Sequence, residues 1–131
     1  MSKPFKINDE LSIYIVKDVG DSLLHKGFFT DLYNNVFSDE ENNIKAGIKG
    51  MNTLEDVISR IKTWLGAETS PYMFFLFKGN DVIGTTQAFR SRMFDPNTLS
   101  LGYIVSPSHQ GKGYGTIMLK FVSEYLHSDK L

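Results

Sequence analysis

The chain has 131 residues, 41% of them hydrophobic and 22% charged, with a formal net charge of −1. That composition suits one soluble domain spanning residues 1–131 and excludes the strongly basic footprint of a nucleic-acid binder. It has no cysteine and only three histidines, which rules out a disulfide framework and a thiol nucleophile and leaves no histidine pair at metal-ligand spacing. No stretch approaches the roughly 20 apolar residues of a membrane helix, and the first ten residues lack a signal-peptide core. The expectation is a cytoplasmic protein with no metal and no membrane partner.

"LSIYIVK" (Leu11 to Lys17) mixes alternation with β-branched residues and predicts a strand. From Ser22 to Phe37 two apolar rows recur at helical spacing. Leu24, Phe28, Leu32 and Val36 form one, and Phe29, Tyr33 and Phe37 the other, predicting one amphipathic helix. Ser38 to Asn52 is polar and glycine-containing, a loop with room for a short helical turn. Thr53 and Asp56 have the spacing of a capping box, and Leu54, Val57, Ile58, Ile61, Trp64 and Leu65 give the next helix an apolar face.

"YMFFLFK" (Tyr72 to Lys78) is a continuous apolar run, as in a strand covered on both faces. Gly79-Asn80-Asp81 is hairpin chemistry, "VIGTTQAFRSR" the returning strand, and Asp95-Pro96-Asn97 another turn. "TLSLGYIVSP" is a third strand, stopped by Pro107. The last helix carries Ile117, Phe121 and Tyr125 at four-residue spacing, with Met118, Val122 and Leu126 beside them. The order predicts a mixed α/β (α+β) domain on a largely antiparallel sheet flanked by helices.

Between that strand and that helix lie Gly111, Gly113 and Gly115 at alternate positions. A helix start leaves backbone N–H groups without intrahelical partners and is electropositive. Glycines remove the Cβ atoms and permit positive φ, so the backbone can wrap an anion, with Lys112 as a nearby cation. The alternative is a connection that only turns the chain. The Walker spacing is absent, and G-x-G-x-G is not the dinucleotide fingerprint.

Gln110-Gly111-Lys112-Gly113-Tyr114-Gly115 matches the Q/R-x-x-G-x-G/A signature. With the Gly102-Tyr103 strand, Pro107 and the following helix, the stretch resembles the GNAT superfamily of N-acetyltransferases. The likeness is nearest the branch of ribosomal-protein N-terminal and polyamine acetyltransferases, and runs from about Leu11 to the chain end. It implies that Gln110 to Gly115 hold the pyrophosphate of acetyl-CoA through main-chain amides. Ile104 and Val105 would line the pantetheine arm as a strand edge. The implied reaction is attack of a primary amine on the thioester, which needs a neutral nucleophile, a stabilised oxyanion and a proton for the thiolate.

Many relatives place a glutamate two residues before the Gly-Tyr pair, where this chain has Ser100. A phenol is a poor base at neutral pH, so the reading is proton transfer through water near Ser100 and Tyr103. Relatives also continue past the motif helix, so residues 1–131 are expected to form the N-terminal portion of the fold. The open strand edge would then be completed by a second copy in a homodimer. A non-catalytic acyl-CoA-binding or assembly module, or an inactive fragment of an acetyltransferase, is the alternative to an enzyme. His109 beside the loop is a candidate phosphate contact, and His25 and His127 read as surface residues. Asp39-Glu40-Glu41 are either an acidic mouth for a cationic acceptor or a solvated loop.

Overall fold

The computed structural model describes residues 4–66, 72–90 and 99–128. Strands β1 (Phe5–Lys6), β2 (Leu11–Val16), β3 (Tyr72–Lys78), β4 (Asp81–Arg90) and β5 (Leu99–Val105) form one sheet in that order. Every neighbouring pair is antiparallel. Helices α1 (Lys26–Leu32), α2 (Glu40–Lys45) and α3 (Leu54–Gly66) precede β3, and α4 (Tyr114–Ser128) follows β5. The expected mixed fold, a mainly antiparallel sheet with flanking helices, is the one observed.

The apolar run of β3 is explained by two cores, one on each face of the sheet. Met73 and Phe75 pack with Phe28, Leu32, Val57 and Ile61 of α1 and α3. Tyr72, Phe74 and Leu76, one residue out of step, pack with Met118 and Val122 of α4. Because strand side chains alternate, a strand buried on both faces has no polar position to spare. Gly84 on β4 lies under α4, where an added Cβ would lie 3.5 Å from Met118 Cε and 3.1 Å from the Ile104 carbonyl of β5.

The Ser22–Phe37 helix is shorter and less regular than its two apolar rows predict. Asp21 holds the chain in a turn, its carboxylate accepting from Leu23 N–H (2.9 Å). α1 therefore starts only at Lys26, with His25 Nδ1 accepting from Phe28 N–H (3.2 Å), so His25 is a cap as well as a surface residue. Its far end widens into a π turn over Tyr33–Phe37, closed by Ser38 N–H onto the Tyr33 carbonyl (2.7 Å). The wider turn buries Val36 and Phe37 together, while Asn35 Nδ2 donates to the Val82 carbonyl of β4 (3.1 Å).

The loop after it does contain a helix, α2, capped by Asp39. At α3 the capping box forms as read: Thr53 Oγ1 accepts from Asp56 N–H, and Asp56 Oδ2 accepts from Thr53 N–H (both 3.1 Å). The β3–β4 hairpin turns on Gly79 (φ 61°) and Asn80, with Asp81 already paired to Lys78, and Ile83 is an extra residue bulging from β4. The Asp95-Pro96-Asn97 turn lies outside the described residues. Among the described residues, no helix is long and apolar enough to cross a membrane.

Candidate active site

β5 is the last strand of the sheet, so one of its edges faces away from β4. Ser106 N–H donates to the Ile83 carbonyl on β4 (2.7 Å), which turns the Val105 carbonyl of the same peptide to the open edge. Backbone alternation then gives Tyr103 and Val105 edge-facing groups and turns those of Ile104 towards β4. The edge therefore belongs to residues 103 and 105, with Ile104 contributing its buried side chain.

The Val105 carbonyl is already occupied. Asn42 Nδ2 of α2 donates to it (3.0 Å), as does Gln110 Nε2 (3.1 Å), and Gln110 Nε2 also reaches Asn42 Oδ1 (2.5 Å). Two side-chain amides thus latch the glycine loop to both α2 and β5. Gln110, expected to begin an anion cradle, uses its side-chain amide on bonds to Asn42 and Val105. Asn42 is the residue that sequence reasoning missed. It sits in a polar stretch with no spacing signal, and its partners lie 63 and 68 residues away.

The three glycines do two different things. Gly111 (φ 77°) and Gly113 (φ 81°) occupy the left-handed region, and a Cβ on either would meet no protein atom within 4 Å. Both face open space. Gly115 has helical backbone, and its Cβ would lie 3.4 Å from the Tyr103 ring and 3.6 Å from Val105 Cγ2. Those are ordinary contact distances, so alanine fits there and a larger side chain would push against β5. The first bond across the helix start is Ile117 N–H onto the Gly113 carbonyl (3.0 Å), so the amides before it belong to the partnerless first turn.

Tyr114 is an anchor. It is buried, its hydroxyl donates to Glu10 Oε1 (3.3 Å), and Lys78 Nζ lies 5.8 Å from its ring centre. Lys112 is exposed on the loop.

An open cleft of about 640 Å³ runs between α2, the β5 edge and the loop, lined by Asn42, Lys45, residues 101–105, His109, Gln110 and all three glycines. A second cavity of about 210 Å³ adjoins it across β5, sharing Ala46, Gly102, Tyr103 and Ile104. The expected pair, Ser100 and Tyr103, is split by strand alternation. Tyr103 lies 49% exposed and lines both spaces, whereas Ser100 projects from the opposite face and lines neither.

Asp39, Glu40 and Glu41 serve the start of α2. Asp39 Oδ1 accepts from Asn42 N–H (2.9 Å), and Glu41 pairs with Lys45 (3.7 Å) at the surface. Among the described residues no carboxylate lines either cavity, and no group of three or more His, Asp or Glu side chains is placed to hold a metal ion.

His109 is held below the usual histidine range, chiefly by partial burial and then by the charges of Lys112 and Lys78, with Asp81 opposing them. It should be neutral at pH 7 and able to gain a proton when an anion arrives. In an NMR titration its imidazole is expected to protonate below pH 6.5, and Lys112→Gln should move the midpoint upward by removing a repulsive cation. A midpoint unmoved by that substitution would exclude the lysine as a cause.

Comparison with known proteins bears on family and fold. The family model described as "Acetyltransferase (GNAT) family" matches residues 30–131. The crystal structure of a GNAT family acetyltransferase from Staphylococcus aureus subsp. aureus USA300_TCH1516 superposes with a TM-score of 0.59 at 15% identity. The alignment covers 88% of this chain and 77% of that one, a likeness of fold. No curated protein matches the sequence. With a family match over most of its length, the chain belongs to the GNAT family of acetyltransferases.

Proposed function

We propose that this protein is an acetyl-CoA-dependent N-acetyltransferase acting on a primary amine, and that its site is the cleft between α2, β5 and the glycine loop. The family uses acetyl-CoA, and the observation that carries the reading is the pair of positive-φ glycines, Gly111 and Gly113, opening into that cleft at the start of α4. Fit supports it too. The first-turn amides suit a pyrophosphate, with Lys112 and Lys45 as nearby cations, and the edge groups of Tyr103 with the N–H of Val105 suit the amides of a pantetheine arm.

Acetyl-CoA supplies an activated acyl thioester. The chain's own part is to hold and to orient. The Asn42–Gln110 latch keeps the loop in register with β5, so the anion site and the strand edge stay at a fixed spacing. Gly115 lets α4 start against Tyr103 and Val105. Tyr103, between the two cavities, is placed to pass a proton through water. Ser100 shares its strand but faces away from it. The unpaired part of the β5 edge is open to the cofactor or to a second copy of the chain.

Thiol release from acetyl-CoA with a panel of amines tests the reading, and the expected result is amine-dependent CoA production. General acid–base groups contribute about 10²- to 10⁴-fold, so Tyr103→Phe should lower the rate at least tenfold and alter its pH profile, while Ser100→Ala stays near the parent. CoA binding without transfer to any amine would replace the enzyme by a non-catalytic acyl-CoA-binding module.

A further inference from the structure

The smaller cavity has a chemistry of its own. Phe37, Ile48, Trp64, Met73 and Ile104 give it an apolar side, Thr85 and Gln87 add polar groups, and Arg60 of α3 is its one cationic lining residue among those described. That guanidinium is held in place. Nη2 donates to the Lys49 carbonyl (2.6 Å), and the group sits 5.7 Å over the Trp64 ring. Gly50 makes the seat possible: it has φ 76°, and a Cβ there would lie 2.9 Å from Arg60 Nη2.

An arginine carries five N–H donors in a fixed fork matched to a carboxylate. One is used on Lys49. Among the described residues Arg60 has no carboxylate partner, so its remaining donors are available to an acceptor that enters the cavity. Arg60 is half-buried and its guanidinium borders the cavity, so an anion entering there can take the place of its water.

Resting on the acetyltransferase reading, we propose that this cavity is the acceptor site and that its substrate is a small amine bearing a carboxylate and an apolar side chain, an α-amino acid or close analogue, with Arg60 as the specificity-determining residue. The carboxylate pairs with the guanidinium and the side chain lies among Phe37, Ile48 and Trp64. The amine then faces the shared wall at Gly102 to Ile104, where the second cavity meets the cleft. A polycationic acceptor would meet Arg60 with no anion to offset it among the described lining residues. An amine flanked by its own carboxylate brings that anion with it.

Trp64 is the only tryptophan of the chain and lines the cavity, so its fluorescence reports occupancy directly. Leucine, its decarboxylated counterpart isoamylamine, and spermidine are titrated into the full chain with CoA present and absent, and CoA binding is measured separately by calorimetry. Leucine should bind about 10- to 100-fold more tightly than isoamylamine, the worth of a hydrogen-bonded charge pair. Arg60→Gln should remove that ratio by weakening leucine alone, and Arg60→Lys should restore part of it.

Equal affinity for leucine and isoamylamine, tighter binding of spermidine, no Trp64 response to leucine, or an unchanged ratio in Arg60→Gln would each overturn the proposal. The wild-type ratio needs no variant to fold. Transfer to spermidine but not to leucine would sink this assignment while leaving the acetyltransferase reading intact. Absence of CoA binding would sink that reading while the leucine ratio still decides this one.

Discussion

Gly113→Val is expected to weaken CoA binding by about 100-fold or more, as measured by calorimetry. Gly113 has φ 81°, a region that a β-branched residue enters only under strain. The loop would relax towards negative φ and swing its N–H groups off the anion site. Losing two charge-assisted hydrogen bonds is enough for the stated factor. The valine side chain would also project into space that a phosphate needs, because no protein atom lies within 4 Å of its Cβ position. For that same reason the fold should survive, with a stability loss of about 1–2 kcal/mol from the left-handed backbone. A melt near the parent together with lost CoA binding is the expected pair of results. Parental affinity in the variant would show that the glycine loop does not hold the cofactor.

Phe75→Ala should cost about 3–5 kcal/mol of stability in denaturant unfolding. Phe75 is fully buried at the centre of the core under α1 and α3, with its ring edge-on to Phe28 at 4.9 Å. Its strand neighbours are Tyr14 on β2 and Thr85 on β4, both held by ladder pairing, so the sheet cannot close on the cavity left behind. A domain of this size has about 5–15 kcal/mol in all, so the variant should sit near the edge of folding. A loss below about 1 kcal/mol would contradict the two-core arrangement, because a ring in that place cannot be removed cheaply.

What the sequence determined by itself is what short-range physics encodes. The uninterrupted run Tyr72 to Lys78 requires a strand with two covered faces. The stripe Met118, Val122 and its neighbours requires a helix on one of them, and Thr53 with Asp56 marks a helix start. Gly111 and Gly113 announce a turn through positive φ because few other residues tolerate it. Each of these signals lies within a few residues of its effect.

Only the tertiary structure decided the rest. Asn42 becomes a latch because folding brings it to a carbonyl 63 residues away, and no local pattern distinguishes it from its neighbour Asn43. Gly115 is small for packing against Tyr103 and Val105. Its spacing from Gly113 carries no sign of that packing. Ser100 and Tyr103, three residues apart, fall on opposite faces because β5 is a regular strand there. Arg60 gains its seat only when the Lys49–Gly50 peptide folds back under α3. Side chains that act across elements depend on where the sheet and helices finally meet, and a linear pattern carries no coordinate for that.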